Sequence, residues 1–116
     1  MRSSASFRLA ALVGFLAVVL GAFGAHGLRG FLETMNTQAI WEKATLYHLV
    51  HSAVLLLVAD RKPGFSMCWI LFFAGIVIFS GSLYVLAYSG ARWLGMITPV
   101  GGLCLLAGWL SLALKS

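Results

Sequence analysis

Three histidines are the side chains in this sequence best suited to moving protons or holding a metal: His26, His48 and His51. A neutral imidazole offers one donor and one acceptor, so it can bridge two groups, ligate a metal or titrate near neutral pH. His48 belongs to a stripe, because Trp41, Thr45, His48 and Ser52 recur at intervals of four, three and four residues, one face of a helix. His51 lies beside that stripe and four residues from Tyr47, the spacing at which helical side chains meet. Ser80, Ser82, Tyr84 and Thr98 add hydroxyls further along the chain. Together these residues form a candidate polar or ligand-binding cluster, over which His26 could fold.

The chemistry open to this cluster is narrow. His48 and His51 are three residues apart, unlike the zinc-binding pair four apart of metalloproteases. No acid accompanies Ser and His in a nucleophilic arrangement. Gly101-Gly102 follow Pro99 inside an apolar run and make a poor phosphate cradle. No catalytic residue, metal or cofactor is assigned, and the reading leans away from an enzyme. The simplest role for both histidines is hydrogen bonding between helices.

The elements that must position these side chains follow from composition. Of 116 residues, 61% are hydrophobic and 9% charged, and the mean hydropathy is +0.98, far from a soluble domain. Four apolar stretches, Phe7–Ala25, Ala39–Ala59, Phe65–Tyr88 and Trp93–Leu114, are each of a length to cross a bilayer. The expected fold is all-α: a single transmembrane domain over residues 1–116, an antiparallel four-helix bundle joined by short loops. Arg2 and Arg8 before an apolar run ending in Ala22-Phe23-Gly24-Ala25 resemble a secretory leader. The run is longer than a leader core and its small residues are spaced as a packing face, so retention is expected.

Charge sets an orientation. Arg2, Arg8, Arg61, Lys62 and Lys115 fall on one side, and Arg29, Lys43 and Arg92 on the other, which predicts cytoplasmic termini. Span two then descends from the outer face, with His48 and His51 roughly 10 and 15 Å below Trp41 at helical rise. The polar cluster is thus expected in the outer half of the bundle. The formal charge of +5 comes from scattered cations, which excludes a nucleic-acid surface. Glu42, beside Lys43 at the mouth of span two, reads as interfacial.

In lipid, helices associate through small residues that let backbones approach. Ala10, Gly14, Ala17, Gly21 and Ala25 form one such face of span one, and Thr98, Gly101, Cys104, Gly108 and Ser111 one of span four. Gly81 is a further packing candidate in span three. Cys68 and Cys104 fall at different depths, too far apart for a disulfide, and read as small packing residues. The segment from His26 to Gln38 is expected as a loop against the membrane surface.

Four motifs carry a family resemblance: Gly21-Ala22-Phe23-Gly24-Ala25-His26-Gly27-Leu28, Tyr47-His48 with His51, Phe79-Ser80-Gly81-Ser82-Leu83-Tyr84, and Trp93-Leu94-Gly95-Met96-Ile97-Thr98-Pro99-Val100-Gly101-Gly102. In this order the chain resembles the bacterial small membrane proteins classed as domain of unknown function 423, relatives of the eukaryotic transmembrane protein 256. The resemblance implies a multi-pass protein of the bacterial plasma (inner) membrane and no particular activity. Two functions remain open. One is a structural or accessory subunit whose partners are the bilayer and a larger membrane complex or further copies of itself. The other is a binder or transporter of a small molecule, ion, quinone or haem at the polar cluster.

Overall fold

The structure, a computed structural model, describes residues 4–61 and 65–115. Arg2 and the Lys62-Pro63-Gly64 part of the expected second hairpin lie outside these residues. Among the described residues there are helices and no strands. Helix α1 is Ser4–Ala25, α2 Arg29–Met35 and α3 Gln38–Ala59. A continuous helical rod then covers Ser66–Ser89, built from α4 (Ser66–Gly75), a π-helical turn (Ile76–Ser80) and α5 (Gly81–Ser89). The last rod, Arg92–Lys115, opens with a 3-10 segment (Arg92–Met96) and continues as α6 (Thr98–Lys115).

Local chemistry explains where these elements stop and start. Asn36 closes α2 in the left-handed region at φ 59°, its N–H reaching the carbonyls of Leu32 and Glu33. Gly90 closes α5 in the same way at φ 74°, with its N–H on the Leu86 carbonyl; a residue without Cβ takes that conformation freely. Pro99 sits in the first turn of α6, where its missing N–H leaves no intrahelical bond unmade. Inside the third rod the Gly81 N–H reaches back five residues to the Ile76 carbonyl, the signature of a π turn.

Three rods are long and apolar enough to cross a membrane: Ala5–Ala25, Ser66–Ser89 and Arg92–Lys115. Helix α3 has 22 residues, a sufficient length, but its polar stripe makes it the least apolar of the four long helices. It lies between α1 and the third rod, and the third rod in turn packs on α6. No comparable seam joins α1 to α6 or α1 to the third rod. The helices therefore form a folded row with α3 and the third rod at its centre.

Two apolar cores hold the row together. One joins α3, the third rod and α6 through Leu55, Val58, Phe72, Ile76 and Leu105, with Ala10 of α1 at its edge. The other, at the opposite end, gathers Leu32, Trp41 and Ala87. Its Leu32 comes from α2, so the segment expected as a surface loop contains a short helix with a fully buried leucine. Burying one leucine is worth about 2 kcal/mol, enough to dock one turn. The fourth rod likewise differs from expectation, since its first residues wind as a 3-10 helix rather than an α-helix.

Candidate functional site

The polar stripe of α3 faces the small-residue face of α1. A Cβ placed on Gly14 would meet Ser52 at 3.5 Å, one on Gly21 would meet Thr45 at 3.0 Å, and one on Gly24 would run into the Trp41 ring. Ala10 and Ala17 are fully buried in the same seam. That close approach brings main-chain carbonyls of α1 within reach of side chains on α3. Trp41 donates its indole N–H to the Leu20 carbonyl at 2.9 Å, and His48 Nε2 lies 2.9 Å from the Val13 carbonyl. Donors and acceptors are each seven residues apart, so two turns of antiparallel helix are fastened in register.

The second seam uses the same device. Ser80 donates to the Ala44 carbonyl at 2.8 Å, and Thr37 donates to the Ala87 carbonyl at 2.7 Å. Again both sides step by seven residues. The Thr37 hydroxyl is thereby taken from the start of α3, which has no side-chain cap.

His48 joins the two seams. A carbonyl can only accept, so Nε2 carries the proton given to Val13 and Nδ1 is left with a lone pair. The Tyr84 hydroxyl lies 2.9 Å from that Nδ1 and donates to it. Tyr84 also contacts Thr45 Oγ1 at 3.3 Å, while Thr45 donates to the Trp41 carbonyl. The rings of Trp41 and Tyr84 meet edge to face at 4.8 Å.

His51 belongs to a separate group. Its Nδ1 lies 2.8 Å from the Tyr47 carbonyl one turn earlier and must donate to it. The bare Nε2 accepts the indole N–H of Trp109 on α6 at 3.0 Å. Trp109 was not visible as a partner in the sequence, where it reads as one more aromatic of an apolar run. Tyr47 itself faces outward and covers Phe79, ring to ring at 4.8 Å.

The remaining candidates scatter. Ser82 and Thr98 bond to each other at 2.6 Å across the third rod and α6. Ser52 returns to the His48 carbonyl of its own helix. His26 is exposed past the end of α1 and does not cover the cluster. Apart from His26, the candidate residues thus divide into at least three hydrogen-bonded groups on different seams. Among the described residues, no three His, Cys, Asp or Glu side chains are placed to hold a metal.

On the third seam the glycines of α6 admit the third rod. A Cβ on Gly101 would fall 2.3 Å from the Phe79 nitrogen, and one on Gly108 2.9 Å from the Phe72 ring. Gly101 therefore lies against bare backbone at the π turn. Cys68 Sγ and Ser111 Oγ, 3.1 Å apart, close the far end of this seam, and both cysteines are free thiols. Gly81 differs, since a Cβ there would meet nothing within 4 Å. It does not bring two helices together.

A cleft of about 390 Å³ opens between α1 and the third rod, with α3 as its floor. Leu12, Leu16, Phe73 and Val77 line it, and His48, Ser80 and Tyr84 reach its wall. Because these three spend their polar atoms on one another or on main chain, the cleft presents hydrocarbon.

Comparison with known proteins places the chain among membrane proteins. Residues 20–102 match the family described as "Protein of unknown function (DUF423)". A UPF0382 membrane protein of Staphylococcus epidermidis is 48% identical over 113 residues, covering 93% of this chain and 91% of the relative. The UPF0382 membrane protein YwdK of Bacillus subtilis is 41% identical over 115 residues, covering 93% and 92%. A UPF0382 membrane protein of Haemophilus influenzae is 43% identical over 115 residues, covering 93% and 90%. No solved structure matches the chain.

Proposed function

We propose, from the premise that the chain belongs to the DUF423 family of membrane proteins, that it is an accessory packing subunit of the bacterial inner membrane. It crosses the bilayer four times as an antiparallel bundle, with both termini cytoplasmic, and performs no chemistry of its own. The observation that carries this reading is the occupancy of the histidines. Both ring nitrogens of His48 and both of His51 are engaged in bonds that join helices or fix the ring. An imidazole with both nitrogens bonded must break a bond before it can ligate a metal, and in hydrocarbon water does not replace that bond; the N–H of each ring is held by a main-chain carbonyl, which does not pass a proton on. The polar stripe of α3 is accounted for by assembly of the helices, and its burial between α1 and the third rod lets the least apolar helix span lipid.

Two measurements test it. Reporter fusions after Lys62 and after Ser116 should both read cytoplasmic, and an external reading at either overturns the topology. Extraction in mild detergent followed by native separation should show the protein migrating within a larger assembly. Migration solely as a monomer in every extract overturns the accessory role.

The apolar cleft beside His48 supports a second reading, a binder of a hydrophobic small molecule such as a quinone. Purified protein carrying a stoichiometric chromophore or extractable quinone would favour it over the packing role.

A further inference from the structure

We propose that a second cleft, where the end of α1 meets the start of α3, binds a phospholipid with a primary ammonium head group, held by Glu42. This inference is independent of the packing role. The cleft has a volume of about 290 Å³ and is lined by Gly21, Gly24, Trp41, Glu42, Leu46 and Leu49 among others. It runs alongside the tight contacts of Gly21 with Thr45 and of Gly24 with Trp41, and its wall is mostly hydrocarbon.

Glu42 is out of keeping with that wall. Among the described residues the single ion pair is Arg29 with Glu33, and the exposed side chain of Glu42 makes neither an ion pair nor a hydrogen bond. A carboxylate at the edge of an apolar cleft in a membrane protein is costly unless a counter-charge or water reaches it. A divalent cation does not fit, because calcium takes six to eight oxygens and one carboxylate lines this cleft. An ammonium-headed phospholipid supplies the cation and the hydrocarbon in one molecule. Its N–H groups meet Glu42, and an acyl chain lies along Leu46 and Leu49. The carboxylate at the cleft edge matches the ammonium of the head group in sign.

The test is native mass spectrometry of protein released from vesicles of equimolar phosphatidylethanolamine and phosphatidylglycerol. One partly exposed charge pair predicts retention of phosphatidylethanolamine over phosphatidylglycerol by about fivefold. Phosphatidylcholine, whose quaternary nitrogen has no N–H to donate, should be retained less than phosphatidylethanolamine in a parallel mixture. Glu42→Gln should abolish the preference, and Glu33→Gln, on the exposed face of α2, should keep it. Equal retention of the lipids by the unaltered protein overturns the proposal, as does a preference that survives Glu42→Gln. A concentration-dependent dimer dissolved by Glu42→Gln, with lipid retention unchanged, assigns the cleft to a second copy and overturns it as well.

Discussion

His48 and Tyr84 are bonded across the seam between α3 and the third rod, Nδ1 to hydroxyl at 2.9 Å, while the opposite edge of the same imidazole holds the Val13 carbonyl of α1. One side chain therefore ties three helices, and its tautomer is dictated by the carbonyl. Around it the rings of Trp41, Tyr84 and His48 pack edge to face, so the bonds lie within apolar contact and out of reach of water.

His48→Leu removes both bonds and leaves the Tyr84 hydroxyl with only its 3.3 Å contact to Thr45. It should lower stability by about 1–2 kcal/mol, since single interhelical bonds in membranes average about 0.6 kcal/mol. His48→Gln, which keeps a donor and an acceptor, should retain part of this. A double-mutant cycle of His48→Leu with Tyr84→Phe, followed by unfolding in mixed detergent, should give a positive coupling energy; strict additivity would show that the two residues do not cooperate.

Gly101→Ala drives a methyl into the backbone of Phe79, which cannot move aside as a side-chain tip would. A loss of about 3 kcal/mol or more, or failure to fold, is expected from overpacking of this kind. Gly102→Ala is the matched control, because its Cβ meets only the Phe79 ring at an ordinary 3.8 Å. Unfolding midpoints in detergent should fall sharply for the first and change little for the second.

Gly81→Ala should be tolerated or slightly stabilising, by about 0.5–1 kcal/mol, through the smaller entropy lost by alanine in a helix. There is open space at its Cβ. A large destabilisation would reveal that the neighbouring π turn, rather than packing, demands glycine.

Trp109→Phe keeps an aromatic ring against Phe72, where the present rings meet edge to face at 5.4 Å, but deletes the donor to His51 Nε2. The buried acceptor left behind should cost about 1 kcal/mol. His51→Leu in the Trp109→Phe background should then cost less than His51→Leu alone, as measured by the same unfolding assay.

The amino-acid sequence by itself determined that the chain is helical and embedded in a membrane, because apolar runs and small-residue stripes are local and need no knowledge of neighbours. The stripe Trp41, Thr45, His48, Ser52 and the face Ala10, Gly14, Ala17, Gly21 were both legible as helical periodicities. That they face each other was not, since either could have met any helix of the set. Tyr84 belongs to the same candidate cluster as His48 in the sequence, whereas Val13, Leu20, Ala44 and Ala87 were invisible because they accept through main-chain carbonyls that every residue possesses. Which carbonyl becomes an acceptor depends on where glycine and alanine let two backbones close in, and on the antiparallel register that results. The same contact geometry separated His51 from His48 and sent it to Trp109, and it folded Arg29–Met35, within the His26–Gln38 segment, into a short helix by giving Leu32 an apolar floor. These outcomes depend on distances between elements far apart in the chain, which tertiary packing alone decides.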